Sequence, residues 1–246
     1  MCLIVAAWHV HPEFPLVLAA NRDEFHARPA APAGAWDSPA GLYGGRDLEA
    51  GGTWLATDAR GRVAAVTNVR ESVADTDGKR SRGELPVSFL TGGTSAADAA
   101  ATLHARGDDY RGFNLLLADD DTLRLVSNRH PEVLSLDAGL HAVSNACPGE
   151  DWPKAVRART ALAAALDRNG DPKPLVDAAF ALLASGDTDD GDPLSAIFVT
   201  GERYGTRAST VILRTRDGVL HFHERRFGPS ARPAGDADFT LPRHAA

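Results

Sequence analysis

Two apolar runs near the start of the chain, LIVAAW from residue 3 and LVLAAN from residue 16, show no alternation of apolar and polar positions, and the His-Pro-Glu-Phe-Pro segment lies between them. A strand with one wet face alternates; a strand apolar at nearly every position must be covered on both faces. The turn residues between the runs predict that they pair as a hairpin. The first constraint on the fold is therefore a sheet whose strands are buried from both sides.

The order of the remaining elements specifies the layers. RPAAPAGAWDSPAGLYGG lacks periodicity and reads as a long loop of the kind that shapes a binding site. TWLATDARGRVAAVTNV reads as two strands around a turn at Asp58-Ala59-Arg60-Gly61, so that four strands precede the first helix. SRGELPVSFLTGG and TSAADAAATLHARG carry apolar residues at helical spacing. The second opens with Thr94 or Ser95 as N-cap, has Asp98 in its first turn and ends at Gly107. GFNLLLADDDTLRLVSN is a further hairpin and LHAVSNA a further strand. WPKAVRARTALAAALDRNG and PKPLVDAAFALLASG form a second helix pair, each closing near a glycine, and LSAIFVT, STVILRT and VLHFHERRF return to strand character. Blocks of hairpins separated by helix pairs predict antiparallel sheets with helices on their outer faces. The expected fold class is α+β, a four-layer αββα sandwich of two antiparallel sheets flanked by helices, with residues 1–246 as a single domain.

Composition excludes several classes of function. A formal net charge of -7 argues against a nucleic-acid partner, whose phosphates need a clustered basic face. Two cysteines, Cys2 and Cys147, are too few for a disulfide scaffold and fit a reducing compartment, so the expected location is cytoplasmic. No apolar segment reaches the length of a membrane span, and the run after Cys2 is too short for a signal peptide. The acidic stretch SGDTDDGDP reads as a solvated loop.

Chemistry enters with Cys2. Removal of Met1 would leave one residue carrying both a nucleophilic sulfur and a free amine able to act as base. ANRDEF leaves the second apolar strand, and the two-residue period sends Asn21 and Asp23 to one side and Arg22 and Glu24 to the other. In the expected hairpin Asp23 comes near Cys2, where its carboxylate can hold or orient the terminal amine. Asn68 and Asn145 each end a strand and offer neutral amides to a developing oxyanion, although asparagine there is also an ordinary turn former. Arg207 enters a late strand from a glycine-containing turn and is suited to a carboxylate or a thiolate.

The motifs MCLIVAAWHVHPEFPLVLAANRDEF, GRDLEAGGTW, AVTNVRE, SRGEL, GFNLLL, SNA, WPK, LSAIF and YGTRASTVIL resemble those of the NRDE family, also called the transport and Golgi organisation 2-like family, from Met1 to about Phe227. The resemblance implies the N-terminal nucleophile (Ntn) hydrolase fold. It further implies, by likeness to cysteine-type acylases that cleave carbon-nitrogen amide bonds, a nucleophile at Cys2, an aspartate at Asp23 and oxyanion donors at Asn68 and Asn145. Those acylases have an arginine three residues before the aspartate, where this chain has Ala20; Arg22 directly precedes Asp23 instead. Arg22, Trp54 and Arg207 are the candidate substrate-binding residues. The expected activity is hydrolysis of an amide in a small acyl substrate, with no cofactor required and no metal.

The family also implies a second class of function, a non-catalytic protein that binds or traffics haem or an acyl ligand. His9, His11 and His26 would then be candidate axial ligands, and Trp8, Trp36, Trp54 and Phe113 candidate pocket walls. His9 and His11 would share one side of a strand, without a third ligand placed by the sequence for a metal.

Overall fold

The two opening runs pair as an antiparallel hairpin, β1 (Leu3–Trp8) and β2 (Leu16–Phe25), in a register that sets Leu3 opposite Asn21. This computed structural model describes residues 2–70, 79–150, 152–167, 171–189 and 191–243. Met1, Glu71 of the AVTNVRE motif, the expected closing Gly170 and Asp190 of the acidic stretch lie outside the described residues. The chain falls into two compact units, one of Met1–Arg28, Ala138–Val143 and Asp151–Pro242, the other of Pro29–Asp137, Ser144–Glu150 and Arg243–Ala246.

In the first unit, β10 (Gly139–Val143), β1, β2, β11 (Tyr204–Arg214), β12 (Leu220–Phe227) and β13 (Pro233–Leu241) lie side by side in that order, every neighbouring pair antiparallel. Helices α3 (Pro153–Leu166) and α4 (Pro172–Leu183) cover this sheet. Leu3, Val5, Ala7, Val17 and Ala19 share one face by the two-residue period and pack with Ala158, Leu162, Leu175, Ala179 and Leu183 of the helices. Ile4, Ala6, Leu16 and Leu18 on the opposite face are buried as well, as runs without alternation require. Each fully buried Leu or Val contributes about 1.5–3 kcal/mol relative to exposure.

The second unit holds a sheet in the order β3 (Ala30–Ala35), β4 (Leu42–Asp47), β5 (Leu55–Asp58), β6 (Val63–Asn68), β7 (Phe113–Ala118), β8 (Leu123–Ser127) and β9 (Leu134–Ser135). Neighbours are again antiparallel. Helices α1 (Glu84–Thr91) and α2 (Ala96–Ala105) pack Leu85, Phe89, Ala100 and Leu103 against Ala64, Val66, Leu115 and Val126 of the strands. Ser95 is the N-cap of α2, its hydroxyl accepting from the Asp98 amide. The class is α+β with two antiparallel sheets and helices, as the element order predicts.

Four local expectations need correction. The expected loop RPAAPAGAWDSPAGLYGG contains β3 and β4, so six strands precede α1 rather than four. Pro32 is tolerated because β3 is an edge strand, and the pairing shifts register between Ala31 and Gly34. LSAIFVT is not a strand: the Val199 amide donates to Thr206 Oγ1 at 2.9 Å, and the Ile197 carbonyl accepts from Asn21 Nδ2 at 2.8 Å. Its apolar residues fill the core of the first unit without a ladder. β13 escapes the pattern because most of its side chains are exposed, although Leu241 is buried and Phe239 stacks on Phe222 with ring centroids 4.7 Å apart. Finally, His9 and His11 share no strand. β1 ends at Trp8, His9 takes a left-handed backbone (φ 50°), and His11 Nδ1 accepts the amides of Glu13 and Phe14 in a turn.

Candidate active site

The polar continuation of β2 builds a site at the end of an apolar strand. Asn21 and Asp23 extend the face that carries Val17 and Ala19, so both point toward the helix-covered side. Asn21 is a brace. Its amide nitrogen donates to the carbonyls of Leu183 at 2.9 Å and Ile197 at 2.8 Å, while its oxygen accepts from Ser209 Oγ at 2.6 Å. Leu183 is the last residue of α4, whose carbonyl has no partner within the helix.

Two residues on, Asp23 is 5% exposed and its Oδ1 accepts from Thr206 Oγ1 at 2.6 Å. The same hydroxyl receives the Val199 amide, which leaves its proton aimed at the carboxylate. The Asp23 carbonyl accepts from Tyr204 OH at 3.2 Å and lies 3.9 Å from Cys2 Sγ. The structure therefore brings Cys2 and Asp23 together, as the hairpin predicts. Burial pushes the Asp23 carboxyl above its usual range, opposed by the charge of Lys154 and by the Thr206 hydrogen bond.

Lys154 is the residue that sequence reading missed. It is 1% exposed, stands second in α3 after Pro153, and reaches the Leu194 carbonyl at 3.5 Å. Burial pulls its ammonium below the usual lysine range, while Asp23 and Cys2 favour its charged form. One signal was present: a lysine in the first turn of a helix opposes the helix dipole.

The candidate substrate-binding residues divide. Arg207 occupies the bulge where the β2–β11 register shifts, and its NH1 donates to the carbonyls of Phe25, at 3.0 Å, and Arg28. Arg22 is buried. Trp54 belongs to the second unit, where its ring lies over Gly45: a Cβ there would stand 2.2 Å from Trp54 Cζ2. Trp36 and Phe113 are core residues of that unit, and Trp8 is buried under the Arg214 guanidinium, 5.4 Å from the ring centroid.

The second unit brings Asn68 and Asn145 together. Asn145 Nδ2 donates to the Asn68 carbonyl at 2.6 Å, and the Asn145 carbonyl accepts from the Arg70 amide at 3.0 Å. Asn68 is exposed and Asn145 buried. Asn114, also missed from sequence, holds this segment by donating to the carbonyls of Ser144 and Ala146 at 3.0 and 2.8 Å, and Thr67 Oγ1 adds a bond to Ser144 at 2.7 Å. Cys2 and Cys147 are both free thiols.

The description Transport and Golgi organisation 2 names the family model that matches this chain over residues 1–229. The chain belongs to that family. A Transport and Golgi organization protein 2 homolog from Bos taurus is 34% identical, the alignment covering 92% of each chain; the Homo sapiens homolog is 32% identical over the same shares. Among solved structures, a Caenorhabditis elegans N-acylethanolamine-hydrolyzing acid amidase ortholog matches with a TM-score of 0.55 at 13% identity, covering 86% of this chain and 92% of that one. A mutant conjugated bile acid hydrolase from Clostridium perfringens matches with a TM-score of 0.52 at 8% identity, covering 100% of this chain and 94% of that one. At such identities these neighbours show the fold, which is that of the Ntn hydrolases. No helix among the described residues of this family member is long and apolar enough to cross a membrane.

Proposed function

We propose that the protein is a cysteine amidohydrolase of the Ntn type, acting on a carbon-nitrogen amide of a small acyl substrate after removal of Met1. The observation that carries the reading is the Cys2 sulfur beside the backbone of Asp23, whose buried carboxylate is fixed by Thr206. The two fold neighbours named as an amide-hydrolysing amidase and a conjugated bile acid hydrolase support the same class of substrate.

In this reading the Cys2 amine accepts the thiol proton as the sulfur attacks the amide carbonyl. The S–C bond forms, the carbonyl pair moves onto oxygen, and its return expels the leaving amine, which takes the proton from the Cys2 amine. Water then attacks the thioester, giving the free acid and restoring the thiol. Asp23 orients the Cys2 amine. The two free thiols fit a reducing, cytoplasmic setting.

The test is acid release from N-acyl ethanolamides and from amino-acid-conjugated bile acids, followed by mass spectrometry for the parent and Cys2→Ala. Hydrolysis by the parent and its loss in Cys2→Ala, with thermal melting unchanged, is the expected result. Equal hydrolysis by both proteins, or none by either, refutes the assignment.

A further inference from the structure

Lys154 stands where both general terms oppose a cation: its side chain is buried, and it sits at the N-terminal end of α3, where the helix dipole is positive. Among the described residues its one side-chain hydrogen bond is the 3.5 Å contact to a backbone carbonyl, that of Leu194. A buried ammonium so placed requires an anionic partner. The titratable groups around it are Asp23 on β2, the Cys2 thiol, Arg157 one turn along α3, and Asp192. Arg157 is engaged with Asp189, at 2.5 Å, and with the Ser195 carbonyl, at 2.8 Å. Asp192 accepts the Leu194 amide at 2.9 Å. Of the groups that favour its ammonium, Asp23 and Cys2 belong to the candidate site, and their effect outweighs that of Asp192.

We propose that Lys154 is the electrostatic positioning residue of the Cys2 site, its ammonium serving as counter-charge to the Asp23 carboxylate and to the sulfur anion that attacks. This rests on Cys2 as the nucleophile, yet it concerns a property that is measured without an amide substrate. Lys154 makes the reactivity of Cys2 depend on a charge delivered by α3, on the same helix-covered side of the sheet that Asn21 braces.

The experiment measures alkylation of Cys2 by iodoacetamide across a pH series, by peptide mass mapping, in a Cys147→Ala background that leaves one thiol. An opposite charge at close range changes the balance between a neutral and an ionised group by about tenfold or more. Lys154→Met should therefore slow alkylation near neutral pH by about tenfold and move its pH profile upward, and Lys154→Arg should restore much of the rate. Lys154→Gln carries the same prediction as Met should Met prevent folding. In the parent alone, the ratio of iodoacetate to iodoacetamide rates should be higher at Cys2 than at Cys147, since a nearby cation favours the anionic reagent. Indistinguishable profiles for the parent and a folded neutral variant, or a ratio at Cys2 no higher than at Cys147, overturn the inference. If the parent cleaves no amide while the neutral variants still slow alkylation, the amidase reading fails and the role of Lys154 stands. If amides are cleaved and alkylation is indifferent to residue 154, the reverse holds.

Discussion

Replacing Asn21 by alanine tests whether the first asparagine of the NRDE motif is a brace rather than part of the chemistry. The side chain is 2% exposed and makes three hydrogen bonds, to the carbonyls of Leu183 and Ile197 and from Ser209. Each bond contributes about 1 kcal/mol net, and stranding buried partners adds about 1–3 kcal/mol each where nothing replaces the lost group. The expected loss is therefore about 3–5 kcal/mol, a large share of the roughly 5–15 kcal/mol by which domains are stable. At about 2–4 °C per kcal/mol for a domain of this size, melting should fall on the order of 10 °C. Ser209→Ala removes one of the three bonds and should cost about 1–2 kcal/mol. The two substitutions share a bond, so the double variant should lose less than the sum, by about 1 kcal/mol. Calorimetry or urea titration of the four proteins decides it. A loss below about 1 kcal/mol in Asn21→Ala, or strict additivity with Ser209→Ala, would refute the brace.

Arg62 in the second unit donates from Nε to Asp58 at 2.7 Å and from its other nitrogens to the carbonyls of Leu90, Gly92 and Thr94, at 2.7, 2.9 and 3.2 Å. Arg62→Met leaves the Asp58 carboxylate buried without that partner and should cost about 3–5 kcal/mol in urea unfolding. Because burial raises the Asp23 carboxyl, the folded chain binds more protons than the unfolded chain between the ordinary carboxyl value and the raised one. Its contribution to stability is then full below about pH 3.9 and is lost as pH rises through the raised value. Asp23→Asn should lack that fall, so its stability relative to the parent should climb with pH across the same window; a difference constant with pH would contradict the assignment. Gly45→Ala would set a Cβ 2.2 Å from Trp54 Cζ2, so the ring must move, at a cost of about 1–3 kcal/mol and with a shift in tryptophan emission. Unchanged emission and stability would show that the ring does not rest there.

Much of this architecture was legible because β1, β2, β6 and β7 are apolar runs bounded by turn residues, and α1 to α4 carry helical spacing with recognisable ends. The hairpin register follows from that pattern, and with it the meeting of Cys2 and Asp23. What escaped were segments whose backbone bonds are satisfied unusually. LSAIFVT is apolar because it is buried, but its backbone groups are satisfied singly, by the side chains of Thr206 and Asn21 and by isolated bonds to the Ser185 carbonyl and the Thr206 amide. β3 contains Pro32 on an edge, where a missing donor is harmless. β13 exposes most of its residues, leaving little two-residue alternation to read. Within the site, no spacing rule connects Thr206 or Lys154 to Asp23, since a β-bulge and a helix start deliver them across long stretches of chain. Asn114, lying within an apolar strand, gives no local hint that it anchors the Ser144-Asn145-Ala146 segment.

The most direct measurement of the central claim is intact mass spectrometry of the chain, alone and after mixing with an N-acyl ethanolamide and quenching in acid. The account predicts a protein lacking Met1 that gains one acyl group, mapped to Cys2 and absent from Cys2→Ala. A chain that keeps Met1 would contradict it, and so would an acid product that accumulates with no acyl group ever found on Cys2.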